Sequence, residues 1–239
     1  MYENNDWIEI VFLFEGRPTK DIITNLLDAL ATRSTRQNND ETLSIAFWDD
    51  TSDINREDVG IKGAANIVTN YQVSTVTISF DGFELQVGCE YNDSYLDSVP
   101  HLAFSEQVHP FTETDEAGID AEIKRRRHLF ADILTDAGEI VTPKWGFGRR
   151  GGVASDSKPA IELLTKNRPP LYEYNLFNSE MVDFIGHEAI IDSPAWYVNE
   201  LSSGGVFLIT REPPRSCSPR EGACVAVARH LGLEIADFY

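Results

Sequence analysis

The chain has 239 residues, of which 42% are hydrophobic and 10% aromatic, enough to bury a substantial core. It carries 39 acidic and 20 basic residues, for a formal charge of -19. Nucleic-acid binding depends on Lys and Arg side chains that neutralise phosphates, so this balance argues against a nucleic-acid partner. No apolar run approaches the roughly 18 residues of a membrane-spanning helix, and the first residues are polar where a signal peptide would be basic and then apolar. We therefore expect a cytoplasmic protein without a membrane partner.

The identity of the charged residues is typical of proteins from salt-adapted cells. Lysine is confined to positions 20, 62, 124, 144, 158 and 166, and arginine is more than twice as common. An acidic, lysine-poor surface stays hydrated in concentrated salt, where the Debye length shrinks to about 3 Å at 1 M. The composition resembles that of haloarchaeal proteins and predicts a halophilic, acidic protein.

The first third of the chain predicts two strands and a helix. Residues 7–14 begin with alternating apolar residues and end in a continuous apolar run, which indicates a central strand. Pro18 is placed to start a helix that runs to about Ala31, with apolar residues at steps of three and four. Residues 43–48 predict a second strand, and residues 49–58 predict an acidic loop.

The middle of the chain predicts a hairpin and a long helix. Asp81-Gly82 lies between two β-type segments, 73–80 and 83–91, and is the strongest hairpin signal in the chain. A further strand is expected at 101–108, and a helix at 114–137 that Gly138 ends.

The last part of the chain predicts a helix, a hairpin and a second helix. A short helix is expected after Pro159, through residue 164. Residues 180–191 then predict a helix, residues 193–210 a hairpin around a Ser-Ser-Gly-Gly turn, and residues 221–232 the final helix.

These elements together predict an α+β fold with a mainly antiparallel sheet, helices packed on one side, and a helix-hairpin-helix ending. A cluster of glycine and proline at 143–170 suggests two sub-layers, 1–138 and 139–239, within a single domain, 1–239.

The cysteines form no recognisable motif. Cys89, Cys217 and Cys224 are odd in number and lack a Cys-x-x-Cys spacing. A bridge between Cys217 and Cys224 is compatible with their spacing, but a reducing cytoplasm disfavours it. We expect packed or idle thiols.

Familiar catalytic and cofactor motifs are absent from the sequence. It contains no Gly-x-x-x-x-Gly-Lys-Ser/Thr, no Gly-x-Ser-x-Gly and no His-Glu-x-x-His, and its Gly-x-Gly-x-x-Gly spacing, at 146–151, does not follow a predicted strand. The five histidines are scattered. We therefore assign no catalytic residue, no metal site and no cofactor.

Two stretches carry the candidate binding residues. The first, 145–150, reads Trp-Gly-Phe-Gly-Arg-Arg and is expected in a loop, where glycines allow close backbone approach, aromatic rings offer stacking area and arginines bind anions or an acidic partner. The second is the basic run 124–128 of the long helix. The candidates are Trp145, Phe147, Arg149, Arg150, Arg126 and Arg127.

Both stretches also have a structural interpretation. Trp145 and Phe147 would then fill the core from a glycine-rich crossover. Most of the basic run would face solvent, while Arg126 or Arg127, beside the apolar stripe of its helix, would meet an internal carboxylate.

The C-terminal third resembles a known family. Three segments carry the resemblance: Ser-Glu-Met-Val-Asp-Phe-Ile-Gly at 179–186, Ser-Pro-Ala-Trp-Tyr-Val at 193–198, and Leu-Ser-Ser-Gly-Gly-Val-Phe-Leu-Ile at 201–209. They resemble the ends of bacterial immunity-type α+β proteins associated with polymorphic and type VI toxins. The resemblance implies a non-enzymatic protein that occupies a partner's surface, and it supplies no functional residues.

Two functions follow from the sequence. The first is a non-enzymatic interaction protein, of immunity type, whose acidic face binds a basic protein partner in a salt-adapted cell. The alternative is an enzyme that acts on an anionic small molecule near Trp145–Arg150 and Arg126 or Arg127. A deep pocket joining these arginines to a histidine or carboxylate would favour the enzyme, and a shallow acidic surface would favour the interaction protein.

The charge balance predicts a salt effect on stability. We expect the melting temperature to rise as KCl is added above physiological levels, because screening relieves repulsion within a chain of charge -19. Thermal unfolding at increasing KCl measures this. A melting temperature that falls over that range would contradict the halophilic interpretation.

Overall fold

The fold is described from a computed structural model. It covers residues 7–34, 42–48, 54–71, 73–90, 99–112, 119–153, 168–218 and 220–236. The helix predicted at 159–164 and the helix start predicted at 114–118 lie outside these residues.

The described strands are ten in number, and the first five run through the N-terminal half: β1 (Trp7–Leu13), β2 (Thr42–Trp48), β3 (Ile54–Gly60), β4 (Val73–Phe80) and β5 (Phe83–Glu90). The others are β6 (His101–Gln107), β7 (Trp145–Arg150), β8 (Tyr174–Phe177), β9 (Tyr197–Glu200) and β10 (Val206–Ile209). They form one sheet in the order β3-β2-β4-β5-β6-β1-β7-β8-β10-β9. Every neighbouring pair is antiparallel.

Six α-helices connect or follow these strands in the described part of the chain: α1 (Lys20–Arg33), α2 (Ile61–Asn70), α3 (Ile119–Val141), α4 (Ser179–Ile185), α5 (His187–Ile191) and α6 (Ala223–Leu231). A short 3₁₀ turn, His109–Phe111, follows β6. The mixture of helices with a large antiparallel sheet confirms the predicted α+β class.

Strand β1 lies near the middle of the sheet and contributes to two separate cores. Ile10 and Phe12 belong to a first core that also contains the buried sides of α1, α2 and α3. Val11 and Leu13 point to the opposite face and belong to a second core, which α4, α5 and α6 cover. A strand buried on both faces requires a continuous apolar run, which is what the sequence provides there.

The expectation of helices on one side of the sheet is therefore wrong. The residues that reveal this are Met181, Ile190 and Val227, which pack from α4, α5 and α6 against the aromatic side chains of β7. The second helical layer covers β7, β8 and β10, while α1 to α3 cover the other face.

Strand β3 replaces the second half of the predicted acidic loop, 54–58, while residues 49–53 lie outside the described residues. Its seven residues pair with the full length of β2, from Thr42 opposite Gly60 to Trp48 opposite Ile54. β3 is the edge strand of the sheet and carries exposed charged residues such as Arg56 and Asp58. An edge strand with a charged surface lacks the apolar alternation by which strands are recognised.

Helix α3 continues past Gly138, where the sequence predicted its end, to Val141. Ala137 and Val141 are buried in the first core, so packing carries the helix through the glycine. A Cβ at position 138 would collide with the side chain of Leu176. Glycine therefore lets the helix pack closely against β8 at this point.

Cys217 and Cys224 form a disulfide, with their Cα atoms 5.7 Å apart. The expectation that they are packed or idle thiols is wrong for this pair, while Cys89 is buried and forms no disulfide. The Thr210 hydroxyl lies 3.3 Å from both bridged sulfurs. Disulfides persist in oxidising compartments, so the bridge does not favour the cytoplasmic location expected from the sequence.

Gly146 and Gly148 in β7 make room for side chains of the first core. A Cβ at Gly146 would lie 2.7 Å from Phe12 Cδ1, and one at Gly148 would lie 2.5 Å from the carbonyl oxygen of Glu9. The second collision is with backbone, which cannot rotate away as a side chain can.

We predict that Gly148→Ala destabilises the fold by about 1–3 kcal/mol or more, the usual cost of overpacking. Urea unfolding measures the effect. Gly88→Ala is the matched control, since Gly88 also lies in a strand but its Cβ would meet nothing closer than 3.8 Å. Equal losses in the two variants would contradict the assigned close approach of β7 to β1.

Candidate functional site

The predicted binding loop is strand β7. Its backbone pairs with β1 on one side and β8 on the other, so the glycines do not present their backbone to a ligand. Trp145 and Phe147 are 0% and 1% exposed, and their rings stack with centroids 4.3 Å apart in the second core. The two aromatic side chains therefore fill the core, as the structural interpretation of this stretch proposed. They do so from a strand and not from a crossover.

Arg149 and Arg150 take part in an internal polar network. Arg149 is buried, and its Nε donates to the carbonyl oxygen of Gly152 at 2.7 Å. The Arg150 N–H donates to Glu173 Oε2 at 2.7 Å. Glu173 also accepts the N–H of Cys217 at 2.7 Å, so it ties β7 to the disulfide.

Burial raises the pKa of Glu173 to about 7, while these two N–H groups and the charge of Arg149 oppose the shift. The network holds the fold together and leaves Glu173 enclosed. Arg149 is buried within it, whereas Arg150 is partly exposed.

Arg127 is enclosed between α3 and the 3₁₀ turn. It is 2% exposed, and its Nε and Nη2 donate to the carbonyl oxygen of Phe111 at 3.0 and 2.6 Å. Its Nη1 lies 2.8 Å from Glu212 Oε1. An internal carboxylate thus meets this guanidinium, in line with the structural interpretation of the basic run.

Arg126 lies against the β4-β5 turn, where a Cβ at Gly82 would collide with its guanidinium. It forms an ion pair with Glu122 on the same helix, and the neighbouring Arg125 pairs with Asp81 of the turn. Both arginines therefore fasten α3 to the hairpin. The structure does not bring Arg126 together with the residues of β7.

Two pockets lie at opposite ends of β1, and neither is lined by any of the six candidate residues. The larger, of about 520 Å³, lies where β1 leads into α1. Two cationic residues line it, Arg17 and Lys144, and Lys144 Nζ is 2.8 Å from Glu180 and 3.5 Å from Glu15. The hydrogen bond to Glu180 raises the pKa of Lys144, so this lysine is already paired.

The smaller pocket, of about 380 Å³, lies at the beginning of β1. We call it the acidic pocket, because two carboxylates line it, Glu84 and Glu106, and its lining includes no Lys or Arg. Trp7, Gln86 and Gln107 also line it.

Glu106 is the unusual residue of this pocket. Its side chain is on the first-core face of β6, in register with Ile8, and the residue is only 3% exposed. Oε1 accepts the N–H of Gln107 at 2.7 Å, whereas Oε2 has no hydrogen-bond partner among the described residues. Burial raises the pKa of Glu106 to about 7. The N–H of Gln107 opposes this shift, the nearby charge of Glu84 adds to it, and the backbone N–H of Glu84 opposes it more weakly.

Sequence reasoning missed Glu106, although a signal was present. Leu102, Phe104 and Glu106 alternate along β6 and belong to one face of the sheet. A charged residue at the end of an apolar alternation marks either the edge of the core or a buried charge. Phe80 and Phe83 also line the pocket, and their packing makes Glu106 a buried charge.

The second core ends at β6, so the same face of β2, β4 and β5 has no apolar core among the described residues. We call this surface the open face. Register places in it a row of small or polar side chains: Ser44, Ala46, Thr75, Thr77, Gln86, Gly88 and Ser105.

Large apolar side chains stand at both ends of the open face. Trp48 and Ile54 face each other across the β2-β3 pair and are 36% and 55% exposed. Trp7, at the acidic pocket, is 38% exposed. Trp7 and Gln86 line the acidic pocket and lie on the side of the sheet that carries the open face, whereas Glu106 enters the pocket from the first-core side.

The described residues show neither a candidate membrane-spanning helix nor a candidate metal-binding cluster. None of the described helices is both long enough and apolar enough to cross a membrane. No group of three or more His, Cys, Asp or Glu side chains in this part of the chain is arranged to hold a metal ion.

Comparison with known proteins shows a fold relationship only. No family model matches the chain, and no curated protein matches it. A solved structure of a type VI secretion system (T6SS) protein from Pseudomonas aeruginosa is similar, with a TM-score of 0.52 and 10% sequence identity. The match covers 97% of this chain and 74% of that protein. The likeness thus extends over nearly the whole chain, whereas the resemblance in sequence was restricted to the C-terminal third.

The acidic pocket predicts a pH-dependent contribution to stability. The folded-state pKa of Glu106, about 7, exceeds its ordinary value of 4.5. The folded state therefore holds this proton more tightly. The stability from Glu106 is complete below pH 4.5 and is lost as the pH rises through 7.

The free energy of unfolding of Glu106→Gln, taken relative to that of wild type, should be about 1–2 kcal/mol higher at pH 8 than at pH 4.5. This value is discounted for partial solvent screening. Urea unfolding at both pH values measures it. Glu57→Gln, at an exposed position of β3, should show no such gain. A constant difference between Glu106→Gln and wild type would show that the carboxylate is not perturbed.

Proposed function

We propose that this chain is a non-enzymatic interaction protein of the immunity type, which binds a basic protein partner through its open face. The observation that carries the proposal is the open face itself. Half of a ten-stranded sheet lacks a second layer of described helices, yet it exposes Trp48, Ile54 and Trp7. Exposed aromatic and aliphatic side chains around a flat surface are characteristic of sites that bind another protein.

The charge of the chain supports a basic partner. A formal charge of -19 attracts a positively charged surface over a distance and repels acidic ones. Such attraction acts mainly on the association rate and weakens as salt screens it. In a salt-adapted cell, the apolar side chains of the open face would then supply more of the affinity.

The fold likeness to the P. aeruginosa T6SS protein also supports an immunity-type role. The sequence resemblance of the C-terminal third to immunity-type proteins points in the same direction. Because fold does not imply function, the role in this chain rests on the open face and needs a direct test.

The enzyme alternative needs arginines that face a cavity. Arg127 and Arg149 are instead buried against backbone carbonyls, and the two described pockets do not include them. The geometry around these arginines therefore favours the interaction protein.

The compartment in which the protein acts is a separate question. The sequence favours the cytoplasm, where Cys217 and Cys224 would stay reduced, but the structure joins them. Alkylation of free thiols before cell lysis, followed by mass measurement, distinguishes the two states.

The proposal predicts a toxin-like gene adjacent to this one, and the product of that gene is the partner used in the interaction test. We expect the two purified proteins to bind, and co-expression of this chain to restore growth to cells that produce the toxin. Trp48→Ala should weaken binding at least tenfold, because truncating an aromatic side chain that an interface buries removes a large part of the binding energy.

Phe184→Ala is the matched control. Phe184 is 54% exposed but lies on α4, away from the open face. Loss of affinity in both variants, or in neither, would contradict the open face as the binding surface.

A further inference from the structure

We infer that the acidic pocket receives one Arg or Lys side chain of a basic protein partner, whose cationic group pairs with the carboxylate of Glu106. The inference rests on the proposed function, because it assumes that a protein binds the adjoining open face. It adds a specific contact to a surface that is otherwise apolar or lined by small side chains.

The unsatisfied oxygen of Glu106 carries the argument. Oε2 is buried and has no hydrogen-bond partner among the described residues, and the residue as a whole is 3% exposed. Buried polar atoms nearly always have a partner, so an exception calls for an explanation. A carboxylate in this position lacks the group that pairs most strongly with it, a positively charged donor.

The protein does not supply that donor from its own described side chains. The groups that act on Glu106 are the N–H of Gln107 and the charge and N–H of Glu84. His109 lines the pocket but does not hydrogen-bond to Oε2 of Glu106. Arg126 lies against Gly82 of the same turn, but its ion pair is with Glu122. The adjoining segments 1–6 and 113–118 contain no Lys or Arg in their sequence.

The rest of the lining suits a cation. Glu84 provides a second carboxylate, and Gln86 and Gln107 provide amide oxygens that accept hydrogen bonds. Trp7 is partly exposed at the same pocket, and an indole ring attracts a guanidinium or ammonium group over its face.

The same lining argues against other occupants. An anion would be repelled by Glu84 and Glu106, and the lining offers His109 but no Lys or Arg to hold it. A wholly apolar group would leave Oε2 of Glu106 without a partner and would gain little from burial there. A volume of about 380 Å³ is at the small end of ligand sites, which suits a single side chain.

The position of the pocket gives it a role in partner choice. It lies where Trp7 and Gln86 join it to the open face, so a partner seated on that face would pass beside it. A partner without a cation at this point would leave Glu106 desolvated and unpaired, which is a penalty against the wrong partner.

The first experiment is independent of any partner. The amidated, acetylated forms of arginine and lysine are titrated into the full chain at low ionic strength, and the indole N–H signal of Trp7 is followed by NMR. The signal is assigned with Trp7→Phe. We expect saturable shifts with both cations and none with the citrulline analogue, which keeps the shape of arginine but lacks its charge.

Glu106→Gln should weaken this binding at least tenfold, while Glu57→Gln should leave it within twofold of wild type. Unchanged NMR signals away from the pocket show that Glu106→Gln is folded. Absence of saturable binding to wild type, or equal binding to Glu106→Gln, would overturn the inference.

The second experiment separates the inference from the proposed function. Glu106→Gln is compared with Trp48→Ala for binding to the toxin-like partner. Loss of affinity in both variants supports the pocket as part of the interface. If Trp48→Ala alone weakens binding, the open face stands and the pocket inference is overturned. If the cations bind but the partner does not, the pocket is a cation site and the proposed function fails.

Discussion

The double burial of strand β1 is the constraint on which the rest of the structure depends. Its alternate residues enter two cores, Ile10 and Phe12 on one side and Val11 and Leu13 on the other. β1 also joins the two halves of the sheet, since β6 pairs with one edge and β7 with the other. Polar substitution in this strand would therefore disturb both helical layers at once.

The position of β1 also explains why the described helices leave one part of the sheet uncovered. Helices α4 to α6 all follow β8 in the chain and pack over the C-terminal strands. Their core reaches β1 and stops near Ala103 of β6. Strands β2, β4 and β5 lie beyond it, and their second face carries Ser, Thr and Gln side chains that tolerate water. The open face thus follows from the order of elements in the chain. Helices α4 to α6 cover the C-terminal strands, and their core does not extend past β6 to β5, β4 and β2.

The arginines show how an acidic chain distributes its few cations. Arg127 pairs with Glu212, and Arg33 with Asp136. These contacts join elements that are distant in the chain, so the cations serve the fold. Glu106 is different because it is buried without a cation. The same shortage of basic residues that makes the surface acidic leaves this carboxylate for another molecule to neutralise.

The sequence by itself determined the class of the fold and many of its elements. The solid apolar run of β1, the Asp81-Gly82 hairpin and the turn before β10 were predictable, because they depend on local periodicity and glycine conformation. The tertiary structure decided what each side chain faces. Trp145 and Phe147 looked like an exposed binding loop, since glycine, aromatic and arginine residues are common to loops and to strands that pack against bulky neighbours. Glu106 became a candidate only when β6 was placed beside β1, because burial and the absence of a partner depend on residues distant in the chain.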